Sequence, residues 1–567
     1  MTELKQGVLG IDLGTTYSVV AYVDDVGRPT VVRGSNGETT ASVVYFESES
    51  NVVVGSVAKA SAVLSPDSVV SLVKRQMGNA DYSQTFFGKT YAAPAISALI
   101  LQALARDVEN EGHELGKVVI TVPAYFGMLE KEATRQAGEI AGLDVAGIVP
   151  EPVAAALAYG LGGDADGRTV LVYDLGGGTF DVTIMRIGAT AIEVLAVGGS
   201  HDLGGANWDE ALFEHLLAEV SEQIADDSLR DDDQAMQELW NLTEQNKKDL
   251  SKAESRTLLI RQFGGSAKVV ITRAQFQQLT ASLVEQTIGI VRRTLKEAED
   301  LYPGVTAEIS EVLLVGGSCW MPAIPEGVGA AFDWPVKLAD PDLAVAKGAA
   351  LYAAGQAIRE IVDGTGATRT GAGETGAPEP IAAEDLTSEA STLIAQKLGI
   401  DTEAAARLAS RTVVNVLPKS IGIKLVDESV PGWEQMDEPP CYVEHLVAAQ
   451  TQVPFTPAEP FSAATVTASQ DVIRIEIWEQ AGAVAGRRLD QNHRLNFGDI
   501  TDMKGYGLPA GSPVSIHFNV DAEGLVRVTA TEDVSGKNLK VKAKIQLLSD
   551  EQVAEAKSNI AGLRAST

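Results

Sequence analysis

Hydrophobic positions change their spacing twice along this chain. Up to about residue 362, short apolar runs alternate with longer stretches of helical period. Val8-Leu9-Gly10-Ile11, Val118-Val119-Ile120 and Val170-Leu171-Val172-Tyr173 read as short buried strands. The spacing predicts helices over 95–110, 128–141, 208–224 and 278–298, and the alternation predicts a layered α/β domain over 1–362. From 364 to 378, twelve of fifteen residues are Gly, Thr or Ala, the composition of a flexible linker. Helical spacing returns over 382–409, with Leu393, Ile394 and Leu398 on one side and Gly399 as the stop, so 363–410 reads as a linker with inserted helices. After Thr412 the period falls to two. Ile421-Gly-Ile423-Lys-Leu425, Val472-Ile-Arg474-Ile-Glu476-Ile477, Val514-Ser-Ile516-His-Phe518 and Leu525-Val-Arg527-Val-Thr529 alternate, and an Asp521-Ala-Glu523-Gly524 turn joins the last two. An antiparallel β domain over 411–548 follows, large enough for its own core. The remainder, 549–567, predicts one short helix from Ser549, where Gln552 completes a capping box.

Composition narrows the function classes. The 567 residues carry 45 Lys+Arg against 77 Asp+Glu, a formal charge of −32, which repels nucleic acid and anionic membrane as partners. Apolar residues make up 45%, an ordinary globular share that excludes wholesale disorder. Two cysteines, Cys319 and Cys441, provide neither a disulfide framework nor a cysteine-rich metal site. The first residues lack the basic and apolar regions of a signal peptide, and no apolar run reaches the roughly 18 residues of a membrane span. A cytoplasmic protein is expected.

The informative chemistry is a repeat. Gly10-Ile-Asp12-Leu-Gly14-Thr15-Thr16 follows one strand, and Tyr173-Asp174-Leu-Gly176-Gly177-Gly178-Thr179-Phe-Asp181 follows another. Both place Asp at a strand end, then Leu-Gly, then a turn of small or hydroxyl-bearing residues. Asp12 and Asp174 lie 162 positions apart, as in two related halves that face each other. Either turn alone reads as a hairpin whose Asp satisfies turn amides. Two matched copies point instead to a phosphate clamp: glycines let N–H groups approach a phosphate, and Thr15, Thr16 and Thr179 add hydroxyls. Carboxylates beside a polyphosphate call for a hard cation such as magnesium. Val312-Leu-Leu-Val315-Gly316-Gly317-Ser318 reads either as bare backbone for a ribose or base, or as a plain strand-to-helix turn. Gly88-Lys89-Thr90 is no P-loop, because Ser83 stands where that pattern needs glycine.

These motifs occur in a fixed order. Gly10-Ile-Asp-Leu-Gly-Thr-Thr-Tyr-Ser18, Val122-Pro-Ala-Tyr-Phe126, Glu151-Pro, Asp174-Leu-Gly-Gly-Gly-Thr-Phe-Asp181, Leu203-Gly-Gly205, Val315-Gly-Gly-Ser318 and Asp340-Pro-Asp342 through Gly348-Ala-Ala350 together closely resemble the seventy-kilodalton heat-shock (DnaK-type) chaperones. The resemblance covers about 1–355 strongly and 412–548 more weakly. It implies an actin/hexokinase-like α/β ATPase of two lobes, followed by an antiparallel β-sandwich that grips extended apolar peptide. Asp12, Asp174 and Asp181 match the acidic residues around magnesium and a monovalent cation such as potassium. Lys74 matches the phosphate-facing lysine, Glu151 the carboxylate that places water, and Thr179 the γ-phosphate contact. Gly14, Thr15, Thr16, Tyr17, Gly176, Gly177 and Gly178 match the phosphate turns. Glu244, Lys247, Lys248 and Ser251 match the adenosine set on one helix, with Gly316, Gly317, Ser318, Trp320 and Asp342 opposite. Taken alone, Lys74-Arg75 reads as a surface pair and Glu244/Lys248 as an i,i+4 pair. In the β domain, Ile423, Val426, Phe461, Ala464, Ile473 and Ile475 fall where the family lines its peptide groove, although alternating apolar residues also build a sandwich core.

The chain departs from that family in several places. The stretch 83–93 is short, which trims the first lobe. Gly127-Met128 replaces an Asn-Asp helix cap and is weaker. Lys131 replaces an arginine of the interdomain relay, and Trp320 an arginine over the adenine. Val413-Val414-Asn415-Val416 stands for a linker ending in Asp-Val, behind an insert that leaves room for a looser joint. About 19 residues follow Leu548, so no helical lid is expected. The expected function is therefore an ATPase-driven chaperone for unfolded segments in protein folding and stress response, with ATP/ADP and magnesium as cofactors and J-domain and nucleotide-exchange partners. The alternative is a nucleotide-switched protein whose β domain docks one partner. A small-molecule kinase of the same superfold ranks last, since it gives the β domain no role.

Overall fold

The structure is a computed structural model that describes residues 6–160, 167–224, 230–261, 266–365, 381, 386–436, 438–468, 471–501, 503–534, 536–541 and 547–566. Most of the Gly/Ala/Thr-rich stretch, from 366 onward, lies outside the described residues.

Two sheets of the same plan lie at the centre of the first 365 residues. In the first lobe, β1 (Gln6–Asp12), β2 (Tyr17–Val23), β3 (Pro29–Val31), β4 (Glu114–Val122) and β5 (Asp144–Pro150) lie in the order β5-β4-β1-β2-β3. In the second, β6 (Arg168–Leu175), β7 (Phe180–Ile187), β8 (Ala191–Ser200), β9 (Ile309–Val315) and β10 (Val336–Leu338) lie in the order β10-β9-β6-β7-β8. In each sheet the first strand pairs antiparallel with the next in sequence and parallel with the fourth. The duplicated Asp-Leu-Gly turn is thus the first hairpin of a duplicated sheet. The central strands are buried on both faces, as their unbroken apolar runs require.

Helices α1 (Ala93–Asn110) and α2 (Met128–Ala141) cover the first sheet, α4 (Gly205–Ile224), α5 (Asp233–Leu250) and α6 (Ala281–Leu301) cover the second, and α3 (Glu151–Gly160) packs against strands of both. Gly142, at φ 85°, ends α2 in the left-handed conformation, and the Asp232 side chain caps α5 by accepting from Ala235 N. Helix α7 (Ala344–Gly364) crosses α3 between the lobes. Glycine is required there: a Cβ on Gly348 would stand 1.6 Å from Ala154 O, and one on Gly10 would stand 2.0 Å from Ala350 N. The hairpin Ser83–Phe86/Lys89–Ala92 is all that stands at the trimmed stretch.

The inserted segment folds as α8 (Ser388–Lys397) and α9 (Thr402–Ala409), separated at Gly399 (φ 71°). Ile394, Ala405 and Leu408 pack on Leu351 and Ile358 of α7, so the insert adds to the core around α7. The linker forms β11 (Thr412–Val416), which extends the second sheet by pairing parallel to β8 through Thr412, Val413 and Val414.

The β domain is a sandwich. One sheet holds β12 (Ile421–Val426), β13 (Cys441–Val447), β15 (Ile473–Gln480) and β16 (Asn492–Ile500) in the order β13-β12-β15-β16. The other holds β14 (Phe461–Ala464), β17 (Pro513–Val520), β18 (Val526–Glu532) and β19 (Lys537–Val541) in chain order. The 521–524 turn closes the β17–β18 hairpin, with Gly524 N donating to Asp521 O at 2.9 Å. Beyond it, α10 (Asp550–Ala561) begins with the Ser549–Gln552 capping box and packs Val553 and Ile560 into the first lobe's core. The strand Arg564–Ser566 then pairs with Asn51–Val54 of that lobe. Neither contact has a signal in the sequence pattern.

Candidate nucleotide site

The two matched turns meet face to face between the lobes. A Cβ on Gly177 would stand 2.3 Å from Thr16 Oγ1, and one on Gly178 would stand 2.8 Å from Thr15 Cβ. On Gly14 it would stand 2.0 Å from Tyr17 O. Gly177 and Gly178 are glycine because the opposite turn occupies the space a side chain would need, and Gly14 because its own turn folds back over it. Behind them, Gly205 N donates to Gly176 O at 2.9 Å and Ala206 N to Gly177 O at 2.8 Å, fastening the start of α4 to the second turn. Ser318 Oγ donates to Gly176 O at 2.9 Å. Gly316, at φ 85°, lets its strand end abut Asp174, whose Oδ1 would lie 2.7 Å from a Cβ there.

Four carboxylates and one lysine converge below the turns. Lys74 is 3% exposed and pairs with Glu151 at the first position of α3. Burial, then Glu151, push the Asp12 carboxyl up to about 7 and that of Asp181 up to about 8. Burial raises Asp174 well above the usual carboxylate range, with Glu151, Asp181 and Asp12 adding to it. Lys74 offsets part of the rise in all three. Asp174 Oδ2 is buried without a hydrogen-bond partner. Such a cluster suits a cation, and the hard oxygen set suits magnesium. Among the described residues no three His, Cys, Asp or Glu side chains are grouped as direct ligands of one ion. Two backbone donors, Ala124 N and Tyr125 N, hold Asp181, the latter at 2.9 Å, and Thr121 Oγ1 donates to Asp12 Oδ1 at 3.1 Å.

The lobes also touch above the turns. Tyr17 OH accepts from Lys248 Nζ at 2.8 Å and donates to Glu244 Oε1 at 3.3 Å, and Lys59 of the first lobe pairs with Glu244. Burial opposes ionisation of Glu244, but Lys59 and Lys248 outweigh it and hold the carboxyl near 2. Lys247 Nζ bonds Asp209 Oδ2 at 2.6 Å and Gly205 O at 3.0 Å, so it braces α4 against α5. Ser251 lies one turn further along. Opposite, Trp320 is half exposed and its Nε1 donates to Asp342 Oδ2 at 2.9 Å, while Gly317 leaves room beside Asp342. Sequence reasoning missed Lys59 and Arg75. Arg75 Nε donates to Gly178 O at 3.0 Å, fastening the Lys74 segment to the second turn, and its only signal was adjacency to Lys74.

In the sandwich, Ile423, Ile473 and Ile475 are buried in the core between the sheets. Phe461 is half buried at the margin of that core, Val426 is half buried outside it and Ala464 is exposed. Phe461 and Ala464 lie on β14, the edge strand of its sheet. Among the described residues no helix is long and apolar enough to cross a membrane. Cys319 and Cys441 are free.

Comparison with known proteins agrees with this architecture. The family model described as Hsp70 protein matches residues 8–86 and 79–362. Chaperone protein DnaK of Halobacterium salinarum, found in two strains, is 33% identical over 562 residues, covering 97% of this chain and 77% of the relative. The chain belongs to the Hsp70 family.

Proposed function

We propose that Lys74, Glu151, Asp174 and Thr179 carry the ATPase reaction of this chaperone, and that 1–362 is the ATPase domain, 363–410 a linker with added helices, 411–548 the peptide-binding domain and 549–567 a C-terminal helix and tail. As a member of its family the chain is an ATP-dependent molecular chaperone that uses ATP/ADP and magnesium and works on unfolded polypeptide with J-domain and nucleotide-exchange partners. We place it in the cytoplasm, in keeping with its acidic balance and free cysteines.

The buried Lys74–Glu151 pair among Asp12, Asp174 and Asp181 carries this reading. Its charges are wasteful in a static core and suited to a transferring phosphoryl group. Magnesium, held through its water shell by Asp12, Asp174 and Asp181, would neutralise phosphate charge. The Gly14 and Gly176-Gly177-Gly178 turns bring N–H groups to the phosphates, and Thr179 supports the γ-phosphate. Lys74 faces the transferred group and stabilises charge developing on it, while Glu151 orients the attacking water. Glu244, Lys247, Lys248 and Ser251 hold the adenosine from one side, and Trp320 and Asp342 from the other. In the β domain, Val426, Phe461 and Ala464 meet peptide, with Ile423, Ile473 and Ile475 as the floor beneath; an accessible edge strand is the usual acceptor of an extended segment.

Single-turnover hydrolysis tests the assignment. Lys74→Met and Glu151→Gln are each expected to slow phosphate formation by 100-fold or more with ATP affinity within threefold. Wild-type rates in both would refute it. Faster phosphate release with denatured protein, but not with sugars, tests the peptide role.

A further inference from the structure

A small cavity lies between the two arms assigned to the adenosine. Ser251, which follows α5, belongs to one arm, and Met321, next to Trp320, continues the other; both line the cavity. Its volume is about 10 Å³, close to the room that one water needs. Trp208 of α4 forms a further wall; it is fully buried, and its Nε1 has no hydrogen-bond partner among the described residues. The other polar side chains around the cavity are engaged. Arg273 Nε donates to Leu250 O at 2.8 Å, and Gln277 Nε2 donates to Glu326 Oε2 at 3.1 Å. Thr280, also fully buried, donates from Oγ1 to Phe276 O at 2.8 Å, which commits its hydrogen and leaves its oxygen free to accept. Ser251 Oγ reaches Lys247 O at 3.4 Å, longer than an ordinary O–H···O bond.

We propose that this cavity holds one water whose hydrogen bonds are ordered by Trp208, and that Trp208 thereby selects adenine over guanine. The inference rests on the assignment of Ser251 to the adenosine site. An indole N–H can only donate, so the water accepts from it. The water's own hydrogens then go to the two hydroxyl oxygens on the cavity wall, Thr280 Oγ1 and Ser251 Oγ. Ser251, receiving a hydrogen from behind, turns its own towards the base. Purine N3 and N7 accept in both bases, but N1 accepts in adenine and carries a hydrogen in guanine. Guanine would therefore set its N1–H against the Ser251 hydrogen, or force that hydroxyl round against the water. A buried donor that faces a donor loses its bond and its hydration together.

The test is calorimetric titration of the full chain with the magnesium complexes of ADP, GDP and 1-deaza-ADP, which carries C–H in place of N1. Wild type is expected to bind ADP about tenfold tighter than either of the others. Trp208→Phe should weaken ADP about fivefold, the size of one neutral hydrogen bond, and leave GDP and 1-deaza-ADP within about twofold. Ser251→Ala should weaken ADP to the same extent, and the double variant should lose no more than Ser251→Ala alone. An unchanged ADP-to-GDP preference in Trp208→Phe overturns the proposal, as does an equal loss for all three nucleotides, which would mean packing alone. Equal affinities of wild type for ADP and 1-deaza-ADP overturn it too. Any of these results beside a weakened Ser251→Ala leaves the adenosine assignment standing, whereas wild-type ADP affinity in Ser251→Ala removes that assignment and the relay with it. If Trp208→Phe does not fold, Thr280→Val decides, since it keeps the shape and removes one acceptor of the water: a narrowed ADP-to-GDP preference supports the relay, and an unchanged one overturns it.

Discussion

Adding one methyl at Gly348 should inactivate the enzyme far more than it unfolds it. Gly348 sits inside α7 with helical backbone, so alanine fits its dihedrals and improves helix propensity by about 1 kcal/mol. The steric term opposes this. The new Cβ would stand 1.6 Å from Ala154 O and 2.3 Å from Ala154 C. Relief requires α3 and α7 to separate by roughly 1.5 Å, and close-packed interiors resist such a shift. Sliding α7 away is blocked from behind, because Ala350 already lies against Gly10 of β1. Overpacking of this kind costs about 3 kcal/mol, which leaves a net loss of about 2. For a domain of this size that lowers Tm by only a few degrees. Catalysis feels the displacement more, since Ala154 lies three residues after Glu151 on the same helix. A 1 Å misplacement of a reacting group can cost about 100-fold. The assay is kcat for ATP beside a calorimetric Tm, with Gly329→Ala as control; that exposed helical glycine has nothing within 4 Å of its Cβ and should lose no stability. Wild-type kcat and unchanged Tm in Gly348→Ala would refute the packing argument.

Three further outcomes follow from the geometry. Glu244 is held near 2 against its usual 4.5, so the ionised pair across the lobes contributes above about pH 4.5 and is lost as pH falls through 2. Glu244→Gln should therefore weaken acid resistance in this window when unfolding is followed by circular dichroism, and an unchanged acid limb would count against the contact. Burial, with Glu130 adding to it, raises Glu479 to about 7 despite Lys419, Lys131 and the Met128 N–H facing it. The docked sandwich then binds more protons than the free one between about pH 4.5 and 7, so docking is strongest below that window and weakens as pH rises through 7. Proteolysis of the 411–416 linker should accelerate over that range in wild type and lose its pH dependence in Glu479→Gln. Ile560, 1% exposed, anchors α10 in the first lobe. Ile560→Ala should cost α10 about 3 kcal/mol, read as faster amide exchange over 550–566 with the ATPase core unchanged; exchange at the wild-type rate would mean that α10 does not depend on this anchor.

How much of this was legible in the sequence depended on whether a feature is local. The Asp-Leu-Gly hairpins announced themselves because a turn that approaches another backbone needs glycine at fixed offsets, and the repeat of those offsets implied two facing halves. Helix spans such as 128–141 and the period-two strands of the sandwich were readable for the same reason, since one face buries along one element. Gly399 and the Ser549–Gln552 capping box were likewise signals contained in a few adjacent residues. The docking of β11 on β8 was not legible, because Val413-Val414-Asn415-Val416 pairs with a strand more than two hundred residues earlier and any short apolar run would look alike. The strand Arg564–Ser566 escaped notice on the same ground.

Gly127 shows the limit most sharply. In sequence it is a missing helix cap, a local defect whose cost a neighbour should bear. In the structure the vacancy is an opening, filled by a carboxylate 351 positions beyond Met128, and Lys419 is buried nearby to balance the charge. Lys419 has no pattern of its own, and Glu479, in phase with Ile473, Ile475 and Ile477, is a charge at an inward position whose partner the sequence does not name. Their burial follows only once two domains meet, and a polar group taken out of water must find its partner there. A local rule broken without local compensation is therefore a sign of a distant partner. The same logic fits Asn415, whose Oδ1 is buried without a partner in the strand that joins the domains. Asn lacks the full charge that would penalise this position most, so the joint tolerates the orphan oxygen where a carboxylate would need a cation brought to it.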